Sequence, residues 1–413
     1  MEEKTNVCQQ QPEEVVLIVG AGPSGLAVAA CLAERAVPSL ILERDDCISP
    51  LWRKRSYDRV SLHLTKQYCS LPHMPHSDTT PTYRIRILSS RPLQPSPTAG
   101  LFFFFNFKVQ MLNPNQQFRL RIRFGRRVES ARYDQKSGRW IVKARSGDVL
   151  EEYIGRFLVV AAGENDQKFV PDVNGLDSFK GVVIHSSEYR NAAAFKGKDV
   201  LVVGSGNSGM EIAYDLFEAG ARSSIVVRST IHIVTKEIWS FAMGLMKYLP
   251  ISIVDNIILF LCYLRFGNTA KYGLRRPDIG PMYMKCYTPM YQVIDVGTYD
   301  RIKTGEIQVL PSLTSIEGSM VTFSNGKTHH YDAIIFATGY RSTIRQWLEA
   351  DEGLIGKDGM AKNNYPDHWK GQNGLYCASL NHRGLRASSE DGLTIADDIS
   401  KAYNLSEENQ LSV

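Results

Sequence analysis

The chain has 413 residues, 43% of them apolar, seven cysteines and a formal net charge of +5, enough for two or three domains with cores of their own. The charge excludes a nucleic-acid protein: residues 79–128 hold nine cations (Arg84, Arg86, Arg91, Lys108, Arg119, Arg121, Arg123, Arg126 and Arg127) and no Asp or Glu, so the remainder is mildly acidic and no domain-wide basic face exists. Cysteines 8, 31, 47, 69, 262, 286 and 377 include no CxxC pair, which excludes a dithiol centre and gives no metal site, and their odd, dispersed set fits reduced thiols in the cytoplasm.

The segment before Val15 carries Glu2, Glu3, Glu13 and Glu14 and no apolar core, which argues against a signal or transit peptide. Val15–Val19 is a continuous apolar run of strand length. It meets Gly20-Ala-Gly22-Pro23-Ser24-Gly25, an Ala- and Leu-rich helix from about Leu26 to Arg35, and a second strand, Ser39–Leu42, ending in Glu43 and Arg44. This is a βαβ dinucleotide unit. The first glycine permits the tight turn, the second lets backbone approach a pyrophosphate, and the third lets helix and strand pack. Glu43, 23 residues after Gly20, stands where a carboxylate accepts ribose hydroxyls.

A second copy follows at an offset of 184: Asp199–Val203, then Gly204-Ser205-Gly206-Asn207-Ser208-Gly209, a helix from about Met210 to Glu218, and the strand Ser224–Val227. Here the equivalent of Glu43 is Val227, and Arg228-Ser229 comes next. A cation and a hydroxyl there suit a 2′-phosphate, which a carboxylate would repel. The alternative is that Arg228 is a solvated strand-end charge. The first site is therefore expected to hold FAD and the second NADPH, the nicotinamide reducing the flavin.

Residues 257–264 form an eight-residue apolar run, too short to span a bilayer. It reads as a buried or substrate-tunnel helix, with peripheral contact to the endoplasmic reticulum as the alternative. His329-His330 has no third ligand at useful spacing, so no metal is expected. Tyr331–Phe336, followed by Ala337-Thr338-Gly339, reads as the strand that returns the chain to the first domain, and Phe157–Gly163 as a weaker version of it. Asp391 precedes a helical stretch whose N-terminus either faces the FAD or is an ordinary cap.

The linking segment Phe179-x-Gly181-x-x-x-His185-x-x-x-Tyr189 matches the identifying motif of the class B flavin-dependent monooxygenases. The segments Leu42–Ile48, Leu51-Trp52, Tyr57–Arg59, Leu62–Leu64, Gly204–Glu211, Lys271–Leu274, Phe336–Arg341 and Arg383–Leu385 resemble the plant YUCCA-type enzymes, the indole-3-pyruvate monooxygenases of auxin synthesis. The resemblance covers about 12–76 and 128–403. It implies an α/β fold with two Rossmann-like domains: an FAD domain in two segments (12–190 and 331–413) around an inserted NADPH domain (191–330). It also implies monooxygenation through a flavin C4a-hydroperoxide, with a small 2-oxo acid and O2 as substrates and indole-3-acetate as product. The rivals are another class B substrate, an amine or sulfide, or a catalytically impaired paralogue. Trp52 is expected beside the FAD, His185 in the linker, and Lys66 as a donor to the flavin or peroxide, against the alternative of a loop lysine. The oligomeric state is open.

Two departures stand out. Residues 77–127 do not resemble the family, with six of the eighteen prolines between Pro72 and Pro97 followed by the run Leu101–Phe105, and read as divergent or mis-spliced. Ala161-Ala162-Gly163, Cys377-Ala378-Ser379 and Arg386-Ala387-Ser388 replace more glycine- or threonine-bearing versions, which predicts looser FAD retention.

Overall fold

The computed structural model describes residues 8–63, 66–72, 120–349 and 353–411; the Leu101–Phe105 run and residues 77–119 of the atypical stretch lie outside them. The first sheet is built on Glu14–Val19 (β1), Ser39–Leu42 (β2), Arg121–Arg123 (β3), Arg127–Asp134 (β4), Arg139–Ser146 (β5) and Val149–Val160 (β6), in the order β3-β2-β1-β6-β5-β4. Strands β3, β2, β1 and β6 are parallel, and β6, β5 and β4 form an antiparallel extension. The second sheet is wholly parallel. Its strands are Val182–His185 (β7), Asp199–Val203 (β8), Arg222–Val226 (β9), Gln308–Leu310 (β10) and Ala333–Phe336 (β11), in the order β10-β9-β8-β11-β7. Leu375–Cys377 (β12) returns to the first sheet beside β6.

After their first residues, Glu14 and Asp199, both glycine-turn strands are wholly apolar because both of their faces are covered. Val16 and Ile18 of β1 pack with Leu26 and Val28 of the Pro23–Glu34 helix (α1) and with Ile395 and Ile399 near the C-terminus, while Leu17 and Val19 face Trp140, Ile344 and Trp347. In β8, Val200 and Val202 join one core and Leu201 and Val203 another. Each fully buried Val, Leu or Ile of this kind contributes about 1.5–3 kcal/mol.

The sheet pairing corrects the expected domain limits. Strands β7 and β11 belong to the second sheet, although 12–190 and 331–413 were expected to form the first domain. The reason is long-range: β11 lies between β8 and β7 with all four residues buried. The chain leaves the second sheet only after Phe336, and Arg341 and Tyr340 then pair antiparallel with Gln167 and Lys168.

A second correction concerns 120–127. Strand β3 pairs in parallel with β2, Arg121 binds Glu14 with N–O distances of 2.6 and 2.7 Å, and Arg126 binds Glu151 at 3.1 Å. These arginines complete the first sheet and are neutralised by its own acids.

The helix holding the apolar run, Ile251–Phe266 (α5), buries Val254, Ile258, Cys262 and Phe266 but exposes Ile253, Phe260, Tyr263 and Leu264. It is buried on one face only. No helix among the described residues is long and apolar enough to cross a membrane. None of the seven cysteines is in a disulfide, and burial pushes the Cys31 and Cys69 thiols up to about 12, so neither is a nucleophile at neutral pH.

Candidate active site

The two glycine turns have the same geometry. Gly20 has φ +109°, and a Cβ there would stand 2.5 Å from the carbonyl oxygen of Ala161. A Cβ on Gly25 would stand 2.0 Å from the carbonyl oxygen of Gly20, whereas one on Gly22 would meet no atom within 4 Å. The first and third glycines are therefore demanded by the fold, and the second opens on empty space. Helix α1 starts at Pro23, three residues earlier than expected, so its first N–H groups face that space. In the second turn, Gly204 has φ +116° and a Cβ there would stand 2.4 Å from Ala337 O, a Cβ on Gly209 would stand 1.9 Å from Gly204 O, and one on Gly206 would again meet nothing within 4 Å. Its helix is Asn207–Glu218 (α3).

A cavity of about 910 Å³ begins at the first turn. It runs past Glu43, Arg44 and Trp52 to Glu164, Tyr340 and Ser388. Glu43 is buried, and its two oxygens accept the N–H groups of Ala21 at 2.7 Å and Asp45 at 2.8 Å. Burial raises its pKa, and those two N–H groups draw it back down. Ser49, on the cavity wall, has a buried hydroxyl with no hydrogen-bond partner among the described residues. Ser24 and Ser388 hydroxyls meet at 3.0 Å, and Ser379 joins Ser388 at 3.1 Å. Open N–H groups, an orphaned hydroxyl and space at the second glycine fit a dinucleotide, and the cavity is at the upper end of ligand-site sizes.

Several expected residues are placed differently. Asp391 does not line the cavity: it accepts the Ser379 N–H at 2.8 Å and meets His368 Nε2 at 3.0 Å. The C-terminal helix, Leu385–Leu411 (α7), starts earlier than expected, so Ser388, nearer its first turn, reaches the cavity instead. Lys66 sits on the short turn Lys66–Tyr68, away from the cavity wall. Arg44 lines the cavity but its guanidinium is paired with Asp166 at 2.5 Å. Ser379, which stands where a glycine was expected, has φ +62°, a left-handed conformation that glycine adopts without strain. His330 does meet two acids, Asp199 and Asp332, but both Asp199 oxygens bind Arg222 at 2.6 Å.

In the second domain, Ser208 and Asn207 open α3, and the Asn207 side chain accepts Ile294 N–H at 2.8 Å, fixing the loop opposite. Ser205 is buried in the turn. Arg228 and Ser229 are exposed just beyond β9, and Arg228 has no ion-pair partner among the described residues. An Arg228→Ala variant is expected to lose about tenfold or more of any preference for NADPH over NADH, read from kcat/KM for each.

The linker motif has separable roles. A Cβ on Gly181 would stand 2.3 Å from Asp332 O, so β7 can approach β11 only with glycine there. His185 Nδ1 accepts the Ser187 N–H at 3.1 Å, leaving Nε2–H to donate to Gly339 O at 3.1 Å across the returning linker. Tyr189 donates to Asp215 of α3 at 2.5 Å. Burial is the main cause holding the His185 pKa below its ordinary 6.5. The native state thus binds fewer protons than the unfolded one, so this stability is present above 6.5 and is lost as pH falls through the lower native value. Thermal unfolding followed from about pH 7 to about pH 5 is expected to fall less steeply in His185→Gln, which keeps an acceptor and a donor.

Residues with no sequence signal complete the cavity edge. Glu164, at the end of β6, accepts from Tyr291 at 3.0 Å and meets His382 Nδ1 at 2.8 Å. Lys285 donates to the His382 carbonyl and lies 4.1 Å above the Tyr291 ring. Burial lowers its pKa to about 8. This cluster joins the two domains at the cavity.

Comparison with known proteins agrees with this geometry. The profile of the flavin-binding monooxygenase-like family matches residues 13–351. The chain belongs to that family. It is 43% identical over 391 residues to the probable indole-3-pyruvate monooxygenase YUCCA10 of Arabidopsis thaliana, covering 94% of this chain and 97% of that one. It is 42% identical to the indole-3-pyruvate monooxygenase YUCCA1 of Oryza sativa subsp. japonica, covering 93% and 90%. Among solved structures, a flavin-containing monooxygenase from Stenotrophomonas maltophilia shares the fold with a TM-score of 0.66 at 16% identity, over 95% of this chain and 99% of that one. Cyclohexanone monooxygenase from Rhodococcus sp. Phi1, bound to NADP+, gives 0.67 at 17% identity, over 97% and 86%. The two-domain flavin-monooxygenase architecture therefore extends across this chain.

Proposed function

We propose that this protein is an NADPH- and FAD-dependent monooxygenase that oxidatively decarboxylates indole-3-pyruvate, the substrate in the names of its YUCCA relatives, to indole-3-acetate. The observation that carries the reading is the pair of matched glycine cradles with opposite flanks, Glu43 at one and Arg228 at the other. When bound, the flavin takes hydride from the nicotinamide and activates O2. Gly20, Gly22, Pro23, Ser24 and Gly25 shape the FAD pyrophosphate turn, Glu43 accepts ribose hydroxyls, and Trp52 and Ser388 bound the cofactor's path. Gly204 to Gly209 shape the NADPH turn, and Arg228 with Ser229 takes the 2′-phosphate. His185 binds the returning linker at Gly339 and Tyr189 binds Asp215 of α3, two contacts that hold the domains in register. The protein works in the cytoplasm.

The test is purification followed by a flavin spectrum, NADPH consumption with and without indole-3-pyruvate, and product analysis under isotopically labelled O2. Indole-3-acetate carrying one labelled oxygen, with CO2, is expected. NADPH consumption that yields only hydrogen peroxide, or labelled product from amines or sulfides instead, would overturn the substrate assignment.

A further inference from the structure

Exposed apolar side chains are not spread evenly over this protein. Of the eighteen large ones exposed among the described residues, ten lie within 241–291: Phe241, Tyr248, Ile253, Phe260, Tyr263, Leu264, Tyr283, Tyr287, Met290 and Tyr291. They come from three consecutive helices and their links, Lys236–Leu245 (α4), α5 and Pro281–Tyr287 (α6). Helix α5 carries a buried stripe and, beside Ser252, Asn256 and Arg265, an outward row of Ile253, Phe260, Tyr263 and Leu264, with Phe260 61% and Leu264 66% exposed. A surface helix facing water would be polar on that side. Asp255, the one acid of α5, is turned inward and accepts the N–H groups of Met282 and Tyr283 at 2.6 and 3.1 Å. That bond fixes α6 against α5 and removes a negative charge from the surface. Tyr283 and Tyr287 then pack at the edge with their rings tilted by 39° and their centres 4.7 Å apart.

The charge of the same segment narrows the partner. Residues 241–291 contain six cations against Asp255 and Asp278; Arg265 is paired with Asp300, Arg276 donates to the Cys262 and Gly267 carbonyls and Lys285 to that of His382, which leaves Lys247, Lys271 and Arg275 exposed with no ion-pair partner among the described residues. With Asp255 buried, Asp278 is the one acid exposed there. Lys247 stands directly before Tyr248, which is 82% exposed. An apolar, tyrosine-rich face within a cationic segment has the composition of an interfacial membrane contact.

We propose that the face formed by α4, α5 and α6 docks this protein peripherally on an anionic lipid bilayer, with Phe260 and Leu264 entering the headgroup–acyl boundary and Lys247 and Lys271 facing lipid phosphates. Phe260 and Leu264 are not among the residues that line the cavity.

The experiment is co-sedimentation of the full-length flavin-loaded protein with vesicles of phosphatidylcholine alone or mixed with phosphatidylserine, at low and physiological salt. Binding to the mixed vesicles, weakened by salt, is expected. The Phe260→Ser/Leu264→Ser double variant should bind about tenfold more weakly or worse, with unchanged melting temperature and flavin content. Lys247→Glu/Lys271→Glu should reduce binding to the level seen with phosphatidylcholine. Failure to sediment with either vesicle, equal binding by the double variant, or insensitivity to lipid charge would overturn the proposal. So would concentration-dependent dimerisation, without vesicle binding, that the double variant abolishes; it would assign the face to a second copy.

Discussion

A Gly25→Ala variant is expected to lose about 3 kcal/mol of stability and to purify without flavin, whereas Gly22→Ala should melt with the parent and still bind flavin poorly. The difference follows from what each added methyl meets. At Gly25 it would stand 2.0 Å from the Gly20 carbonyl oxygen and 3.3 Å from the Ile18 side chain, so α1 must move away from β1. At Gly22 it would meet nothing within 4 Å, and φ of −73° suits alanine. The reduced freedom of the unfolded chain should even add about 0.4–1 kcal/mol. The methyl would nonetheless fill the space through which a pyrophosphate reaches the helix N–H groups. Losing one or two charge-assisted bonds there weakens FAD binding about tenfold to a hundredfold. Differential scanning of apoprotein and flavin titration separate the two effects. Equal melting temperatures in the two variants would show that the third glycine is not a packing requirement.

The second large effect is expected at Glu211 on α3. This carboxylate is 3% exposed, accepts from the Tyr57 hydroxyl, and meets His63 Nε2 at 3.0 Å. Both partners lie in the segment that follows α1 and β2, so the acid ties the first domain's chain to the second domain's dinucleotide helix. Burial, and then the Glu211 charge, push the Tyr57 pKa well above its usual value, so the phenol stays a donor. Glu211→Ala would strand both partners and is expected to cost about 3–5 kcal/mol, seen as a melting point lower by roughly 5–10 °C. Glu211→Gln keeps an acceptor for Tyr57 and should lose less than half of that. NADPH turnover should fall with the alanine variant even where flavin is retained, because the cofactor cradles would no longer be held in register.

How much of this was legible in the sequence depends on the distance over which each feature is decided. The glycine turns were legible because their strands, glycines and helices lie within a few residues of one another. The places of Glu43 and Arg228 just beyond their strands were legible from a fixed offset. Sheet membership was not: β7 and β11 are apolar strands that could pair in either domain, and only their mutual register places them in the second. The all-apolar run in α5 gave no periodicity from which to tell its buried face from its exposed one. The arginines at 121 and 126 looked anomalous locally because Glu14 and Glu151, which neutralise them, come from distant strands. Ser49 and Glu164 lie in unremarkable local sequence and gain meaning only from the cavity they border.

The pairing of Gln167-Lys168 with Tyr340-Arg341, sealed by His185 on the Gly339 carbonyl, has a mechanical consequence. The chain enters and leaves the second domain through one doorway, this two-stranded strap, and Glu211 with Tyr57 and His63 ties the two domains a second time. A swing of that domain would have to bend both strands together and also break the Glu211 contacts. Because the strap adjoins Tyr340 on the cavity wall, any such swing changes the aperture at the cofactor and the spacing of the two cradles in one movement.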